Sequence, residues 1–246
     1  MSTISKQKQS HLYFGLDLGK RQDYSALAVI EYAREFEMVR SPVTWALDQV
    51  MDDPTYSVRH LERIPLGTRY TEVALRVQQM LVRASQKDHD CTLVVDATGV
   101  GQPVVEMFYG LPRRASLIPV VITGGETESR TKDEWRVPKQ DLLAGLQLML
   151  ESETLAIAEG LPFARALEEE LIAFRGSFRK KRSEDQPAEH YTTEREHDDL
   201  VLAVALATWR ARRHNTQTVG FRNQDPGIQT SVPKQPPSVW GKVRLL

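Results

Sequence analysis

The 246-residue sequence contains one cysteine and has almost no net charge. A single cysteine, Cys91, cannot form an internal disulfide or a cysteine-based zinc site. So low a cysteine content is typical of proteins in a reducing compartment. With 32 basic and 33 acidic residues, no global positive field attracts polyanions, so nucleic-acid contacts must come from local patches. No apolar run reaches the ~18 residues of a membrane span, and residues 1–10 lack the apolar core of a signal peptide. We expect a cytoplasmic protein without membrane contact.

The apolar content, 41% of residues, suffices for one substantial core. Strand-like alternation and helical spacing follow each other along the chain, which favours an α/β fold. We predict a central mixed sheet, in which a three-stranded antiparallel meander is followed by parallel strands, flanked by helices. The domain spans 12–213, between a disordered N-terminus at 1–11 and a flexible Pro/Gln-rich tail at 214–246.

The hydrophobic pattern also predicts the individual elements of this domain. Residues 41–55 are predicted to be an irregular insertion, 124–136 a polar loop and 175–192 an exposed hairpin or loop. Strands are predicted within 12–19, 25–32, 56–64, 91–97 and 116–123, and helices at 71–85, 103–109, 139–151, 162–174 and 193–213.

Two aspartates lie at the ends of predicted strands. Asp17 shares a strand face with Tyr13 and Gly15, where a charge is disfavoured unless something compensates it, although an Asp before Gly19 can also simply open a turn. Asp96 ends the most apolar strand, and ligands of open α/β sheets bind at the carboxyl ends of strands. If the two strands are neighbours, these carboxylates repel each other unless a cation bridges them.

A further group of acids begins the last predicted helix, TTEREHDDLVLAVALA. Thr193 and Glu196 fit a capping box, which places Asp198 and Asp199 in the second turn. Acids near a helix start are favourable in any protein, so this position alone is ambiguous. The run 200–207 is apolar on every side, however, and its alanines permit close approach to a sheet. The helix therefore presents its acids to something, and the strand carboxylates are the simplest partner.

Carboxylate-rich sites without cysteine suit Mg2+ or Mn2+, which prefer oxygen ligands. Two such ions ~3.5–4 Å apart can activate a water and stabilise the leaving oxygen in phosphodiester cleavage. We predict that Asp17 bridges two ions, with Asp96 on one ion and Asp199 on the other. Asp198 or Glu196 completes or orients this ligand set. An arginine that fills the gap between the carboxylates would contradict this prediction.

Two weaker candidates lie beside the predicted ligands. Asp23 could orient a ligand, although it also fits as an ordinary turn residue. His197 is either a neighbour of the site or a residue of the helix start.

Basic residues form a local cluster in 175–182, a segment that contains no acid. They suit contacts with DNA phosphates that depend on salt and carry no sequence preference, or they form a solvated loop. The candidate DNA contacts are Lys139, Arg179, Lys180, Lys181 and Arg182.

The two strand aspartates and the helix HDDLVLAVALA resemble the RNase H-like nuclease superfamily. Within it, the sequence is similar over about 12–213 to the nuclease domain of phage terminase large subunits, which cut concatemeric viral DNA during packaging. The segment from WRVPKQDLL to ELIAF looks like the one those nucleases carry before their final helix. The resemblance implies that Asp17, Asp96 and the pair Asp198 and Asp199 are metal ligands for cleavage of double-stranded DNA, and it leaves open which member of that pair binds directly.

A packaging ATPase motif, G-x-x-x-x-G-K-[ST], does not occur in the sequence. The resemblance therefore implies a separate packaging ATPase, or another terminase or portal component, as partner. It also implies the cytoplasm of a phage-infected or prophage-bearing bacterium.

Three alternatives stay open. FGLDLGKRQDYSALAVIE and LVVDATGVG resemble the phosphate-binding hairpins of actin-like ATPases and kinases, but that class needs a glycine-rich adenosine loop where this sequence offers an acid-bearing helix. A RuvC-type junction resolvase also ends in an acid-led, alanine-rich helix. A non-catalytic RNase H-like scaffold of a packaging complex is the third alternative.

Overall fold

A computed structural model describes residues 2–19, 23–40, 47–99, 102–158, 160–181 and 198–219. These residues form an α/β structure in which helices flank a mixed sheet. The strands are β1 (Ser2–Asp17), β2 (Ser25–Arg40), β3 (Leu47–Met51), β4 (Thr55–Ile64), β5 (Asp90–Asp96), β6 (Ala115–Thr123), β7 (Ser129–Arg130), β8 (Trp135–Pro138) and β9 (Leu155–Ile157). The helices are α1 (Tyr70–Gln86), α2 (Gln102–Glu106), α3 (Lys139–Glu151), α4 (Ala164–Lys181) and α5 (Asp199–Val219).

The strands form one sheet in the order β7-β8-β6-β5-β1-β2-β4-β9, with β3 paired to β2. Strands β1, β2 and β4 are an antiparallel meander, whereas β5, β6 and β8 continue from β1 in parallel. The structure thus confirms the predicted α/β class and mixed sheet. Because β1, β4, β5, β6 and β8 run in the same direction, their carboxyl ends lie along one edge of the sheet.

The two faces of the sheet have separate cores. Alternation along β1 directs Tyr13 towards the core that includes residues of α3, α4 and α5, and Phe14 and Leu16 towards the core that includes residues of α1. Hydrophobic burial on both faces explains why the central strands are nearly continuous apolar runs. None of the described helices is long and apolar enough to cross a membrane.

Helix α5 crosses the centre of the sheet at Gly15 of β1. A Cβ at Gly15 would collide with the backbone of α5, at the carbonyl oxygen of Ala203 and the amide nitrogen of Ala207. The helix therefore lies against the strand backbone itself, as the alanines of its apolar run predict. This contact brings the start of α5 towards the carboxyl end of β1.

The structure differs from the sequence-based expectation at the N-terminus. Residues 2–11, predicted to be disordered, belong to β1 and pair with β2 as far as Arg40. The insertion predicted at 41–55 contains β3, which pairs with the far end of β2. Neither segment shows the side-chain alternation of a half-buried strand, and both are ordered by backbone hydrogen bonds to β2, which carry no side-chain pattern.

Further differences concern element ends. The loop predicted at 124–136 contains β7 and the start of β8, and α4 continues to Lys181 instead of ending at Phe174. Helix α5 starts at Asp199, not at Thr193, and it continues to Val219 beyond the predicted end of the domain. The capping box of Thr193 and Glu196 lies outside the described residues, as does the tail from 220 onward.

Gly15→Ala is expected to lower the free energy of unfolding by about 2–3 kcal/mol, because the added methyl group meets backbone atoms that cannot rotate away. Chemical denaturation measures this change. Gly124→Ala is the matched control, because nothing lies within 4 Å of its added Cβ. Equal unfolding free energies for the two variants would contradict the backbone contact between β1 and α5.

Candidate active site

Asp17 and Asp96 lie side by side at the carboxyl ends of neighbouring parallel strands. The register pairs Leu16 with Val95, which places the two aspartates next to each other on the face covered by α5. The interaction of Asp96 with the Asp17 side chain lowers the pKa of Asp96 and so opposes the effect of burial. Asp96 is buried and Asp17 is partly exposed.

The electrostatic surroundings of Asp17 are strongly acidic. Burial raises the pKa of Asp17 well above its ordinary value of 3.8, and the negative charges of Asp96, Asp198 and Asp199 raise it further, whereas Lys139 lowers it. The charges of three further carboxyl groups therefore act on Asp17, and the full ionisation of all four groups is unfavourable without an added cation.

Burial also raises the pKa of Asp96. Hydrogen bonds from Thr98 and the charge of Lys139 oppose this rise. The backbone N–H of Thr98 donates to Oδ1 of Asp96 at 2.8 Å, which fixes the carboxyl group in the turn after β5. Thr98 is itself held, because its Oγ1 accepts from the backbone N–H of Ile122 at 2.7 Å.

Asp198 immediately precedes α5, and its carbonyl oxygen accepts the backbone N–H of Leu202 at 2.9 Å. Its side chain is paired with Lys139, whose Nζ lies 2.6 Å from Oδ2. Lys139 begins α3 directly after β8, so it enters from the same sheet edge. Both side chains are more than 40% exposed, at 42% for Asp198 and 43% for Lys139, so the ion pair is open to solvent.

Asp199 is buried in a different contact. Nε of Arg63 donates to its Oδ2 at 2.8 Å, and a terminal nitrogen of Arg63 lies 3.4 Å from its Oδ1. The guanidinium also binds Glu170 of α4. In the sheet register Asp17 pairs with Ala26, and Ala26 pairs with Arg63, so the β2 strand separates Arg63 from Asp17. Arg63 thus occupies the carboxylate of Asp199, which was expected to bind the second ion, and the strand that carries Arg63 lies on the far side of β2 from Asp17.

From the predicted set, the structure places Asp17 next to Asp96 and Asp198 next to Lys139, and the charges of Asp96, Asp198, Asp199 and Lys139 all act on Asp17. The other predicted residues are not part of this group in the described chain. Asp23 is exposed at the bend before β2. Glu196, His197 and Arg182 lie outside the described residues, and Arg179, Lys180 and Lys181 lie in the last turns of α4, whose side chains there are also outside the described part.

Sequence reasoning did not identify Arg63 or Glu170. Glu170 had a detectable signal, because it lies three residues after the buried Leu167 and next to Leu171 on the apolar face of α4. Arg63 had no comparable signal, because the pairing of β2 and β4 shifts between Val29 and Ile30, and this irregularity changes which residues of β4 share a face.

The donor atoms at this edge are all carboxylate oxygens, which suits Mg2+ or Mn2+. Among the described residues, no three His, Cys, Asp or Glu side chains are grouped so that they could hold a metal ion. The ion pairs at this edge give a physical reason, since Asp198 is bound to Lys139 and Asp199 to Arg63. The Asp17 and Asp96 pair has the chemistry of a divalent-metal site, and Asp198 would join it by leaving Lys139.

Comparison with known proteins found no family model that matches the chain and no curated protein that matches it.

Replacing Asp17 by Asn tests the repulsion directly. A raised pKa means that the folded protein holds the Asp17 proton more tightly than the unfolded chain, so this group costs stability as the pH rises above 3.8. We expect Asp17→Asn to stabilise the metal-free protein at neutral pH by about 1 kcal/mol, a rise of about 2–4 °C in Tm. Thermal denaturation in EDTA measures it.

The same comparison has an internal pH test. The gain in Tm should shrink as the pH falls towards about 4, because the wild-type carboxyl group is then protonated in the folded state. The exposed Asp23 provides the control variant, Asp23→Asn, which should leave Tm unchanged. A neutral-pH Tm that Asp17→Asn leaves unchanged or lowers would contradict the crowding of carboxylates around Asp17.

Proposed function

We propose that the protein is a metal-dependent DNA endonuclease of the RNase H-like class, related to the nuclease domain of phage terminases. The observation that carries the proposal is the adjacency of Asp17 and Asp96 at the ends of neighbouring parallel strands, with Asp198 at the start of α5 close enough for its charge to raise the pKa of Asp17. The antiparallel meander followed by parallel strands is compatible with an RNase H-like fold. Strand ends of this kind are where open α/β sheets bind ligands.

In this proposal Asp17, Asp96 and Asp198 bind Mg2+ or Mn2+ directly. Asp198 is preferred to Asp199 because its carboxylate is partly exposed, whereas both oxygens of Asp199 face Arg63. Two bound ions would activate the attacking water and stabilise the leaving oxygen of a phosphodiester. Asp17 lies among the other carboxylates, which suits the bridging role.

Lys139 has a second role in this arrangement. Its ammonium group is half-exposed beside Asp198, so it can exchange this carboxylate for a phosphate oxygen of DNA. The predicted basic residues Arg179, Lys180, Lys181 and Arg182 would add contacts to the DNA backbone that carry no sequence preference.

The substrate in this proposal is double-stranded, concatemeric viral DNA. A separate packaging ATPase, or another terminase or portal component, would bring that DNA to the site. The reaction would take place in the cytoplasm of a phage-infected or prophage-bearing bacterium.

Cleavage of supercoiled plasmid in Mn2+ tests the proposal. We expect wild-type protein to nick and linearise the plasmid, and EDTA to abolish cleavage. Asp96→Asn keeps the shape of the side chain and removes its charge. It should slow cleavage at least about 100-fold, since the loss of a mere outer partner of a metal ligand already costs 10–100-fold.

Asp90→Asn is the matched control, because Asp90 begins the same strand and its exposed side chain pairs with Arg114 at the surface. It should cleave like wild type. Cutting by Asp96→Asn at the wild-type rate would remove Asp96 from the mechanism, and cutting in EDTA would exclude the metals. ATP hydrolysis without cleavage would favour the actin-like class, and DNA binding without cleavage the scaffold.

A further inference from the structure

We propose that Arg63 and Glu170 are positioning residues that anchor the first turn of α5 and thereby set the place of Asp198 beside Asp17 and Asp96. The inference rests on the proposed function, because it concerns how a metal ligand is held. Neither residue touches the Asp17 and Asp96 pair in the contacts described above. Both act through the start of α5.

Arg63 ties β4 to the helix start. Its guanidinium contacts both oxygens of Asp199, the first residue of α5, and it also binds Glu170. The side chains of Asp199 and Glu170 are 7% and 6% exposed, and that of Arg63 is 19% exposed. A contact with two oxygens from a largely buried guanidinium fixes the direction as well as the distance of its partner.

Glu170 ties α4 to the same turn. Its Oε2 accepts the backbone N–H of Val201 at 3.0 Å. The first N–H groups of a helix have no partner within the helix, and the side chain of the residue before it commonly accepts one of them. In α5 that residue is Asp198, yet Glu170 accepts the Val201 N–H and the Asp198 carboxylate bonds to Lys139. Because a neighbouring helix caps α5, the Asp198 carboxylate can bond to Lys139 and can face the proposed metal site.

The register of the sheet explains the position of Arg63 relative to Asp17. Ala26 of β2 lies between Asp17 and Arg63 in the sheet, so the two side chains rise from strands about 10 Å apart. The start of α5 spans this gap, because Asp199 binds Arg63 while the charges of both Asp198 and Asp199 act on Asp17. A shift of the first turn would therefore move Asp198 relative to Asp17.

A contribution to stability does not by itself explain the ionic cluster of Arg63, Glu170 and Asp199. A buried ion pair is often no more stabilising than apolar residues of similar volume, whereas its directional bonds specify one geometry. Here Arg63 binds two buried carboxylates from different helices. Asp199 belongs to the first turn of α5, and Glu170 accepts a backbone N–H of the same turn. That pattern fits the positioning of a ligand.

The test compares Glu170→Ala with Glu169→Ala. Glu169 is the neighbouring residue on α4, and its side chain is 66% exposed in a surface pair with Arg165. Mn2+ binding is measured by titration calorimetry, and backbone hydrogen exchange is measured on peptides from α5. We expect Glu170→Ala to weaken Mn2+ binding about 10–100-fold and to speed exchange in the first turn of α5. Glu169→Ala should match wild type in both measurements.

Glu170→Gln serves as the conservative variant, and it decides the question if Glu170→Ala fails to fold. Its amide oxygen can still accept the Val201 N–H, while the charge facing Arg63 is lost, so Mn2+ affinity should lie between those of wild type and Glu170→Ala. Faster exchange in α5 with unchanged Mn2+ affinity in both Glu170 variants would overturn the inference, because the cap would then be structural only. Wild-type protein that neither binds Mn2+ nor cleaves DNA would instead overturn the proposed function.

Discussion

Repulsion among carboxylates at one sheet edge is the constraint to which the rest of the structure responds. The pKa of Asp17 is raised by burial and, in addition, by the negative charges of Asp96, Asp198 and Asp199. A neutral side chain in place of Asp17 or Asp96 would cost less stability at neutral pH, because the pKa of each of these two carboxyl groups is raised. Two cationic side chains, Lys139 and Arg63, offset part of this cost, and each binds one of the two helix aspartates.

Close packing between β1 and α5 at the middle of the sheet places the start of α5 near the strand aspartates. Gly15 and the small residues Ala203 and Ala207 let α5 lie against the backbone of β1, which fixes the height of the helix above the sheet. The first turn of α5 then reaches the carboxyl end of β1, two residues beyond Gly15. The packing of these small residues therefore determines which charged groups lie at the edge of the sheet.

The sequence alone could predict those features of the site that a local pattern encodes. Asp17 and Asp96 stand out because a charge ends an apolar strand, and the alanines of α5 stand out because a helix that is apolar on every side must be buried. The segments 2–11 and 47–51 could not be predicted in this way, because their strands depend on pairing with β2 rather than on side-chain alternation. Arg63 could not be found either, since an irregular pairing between β2 and β4 decides which way it faces.

The two cations are not equivalent, and the difference separates the roles of the two helix aspartates. Arg63 holds Asp199 through two nitrogens in a largely buried cluster with Glu170, so the removal of Asp199 from it would leave a buried positive charge with one partner fewer. Lys139 holds Asp198 through one nitrogen in a half-exposed pair, and water can replace that contact at little cost. A divalent ion that competes for carboxylates would therefore take Asp198 first, while Asp199 stays with Arg63 and keeps the helix start in place.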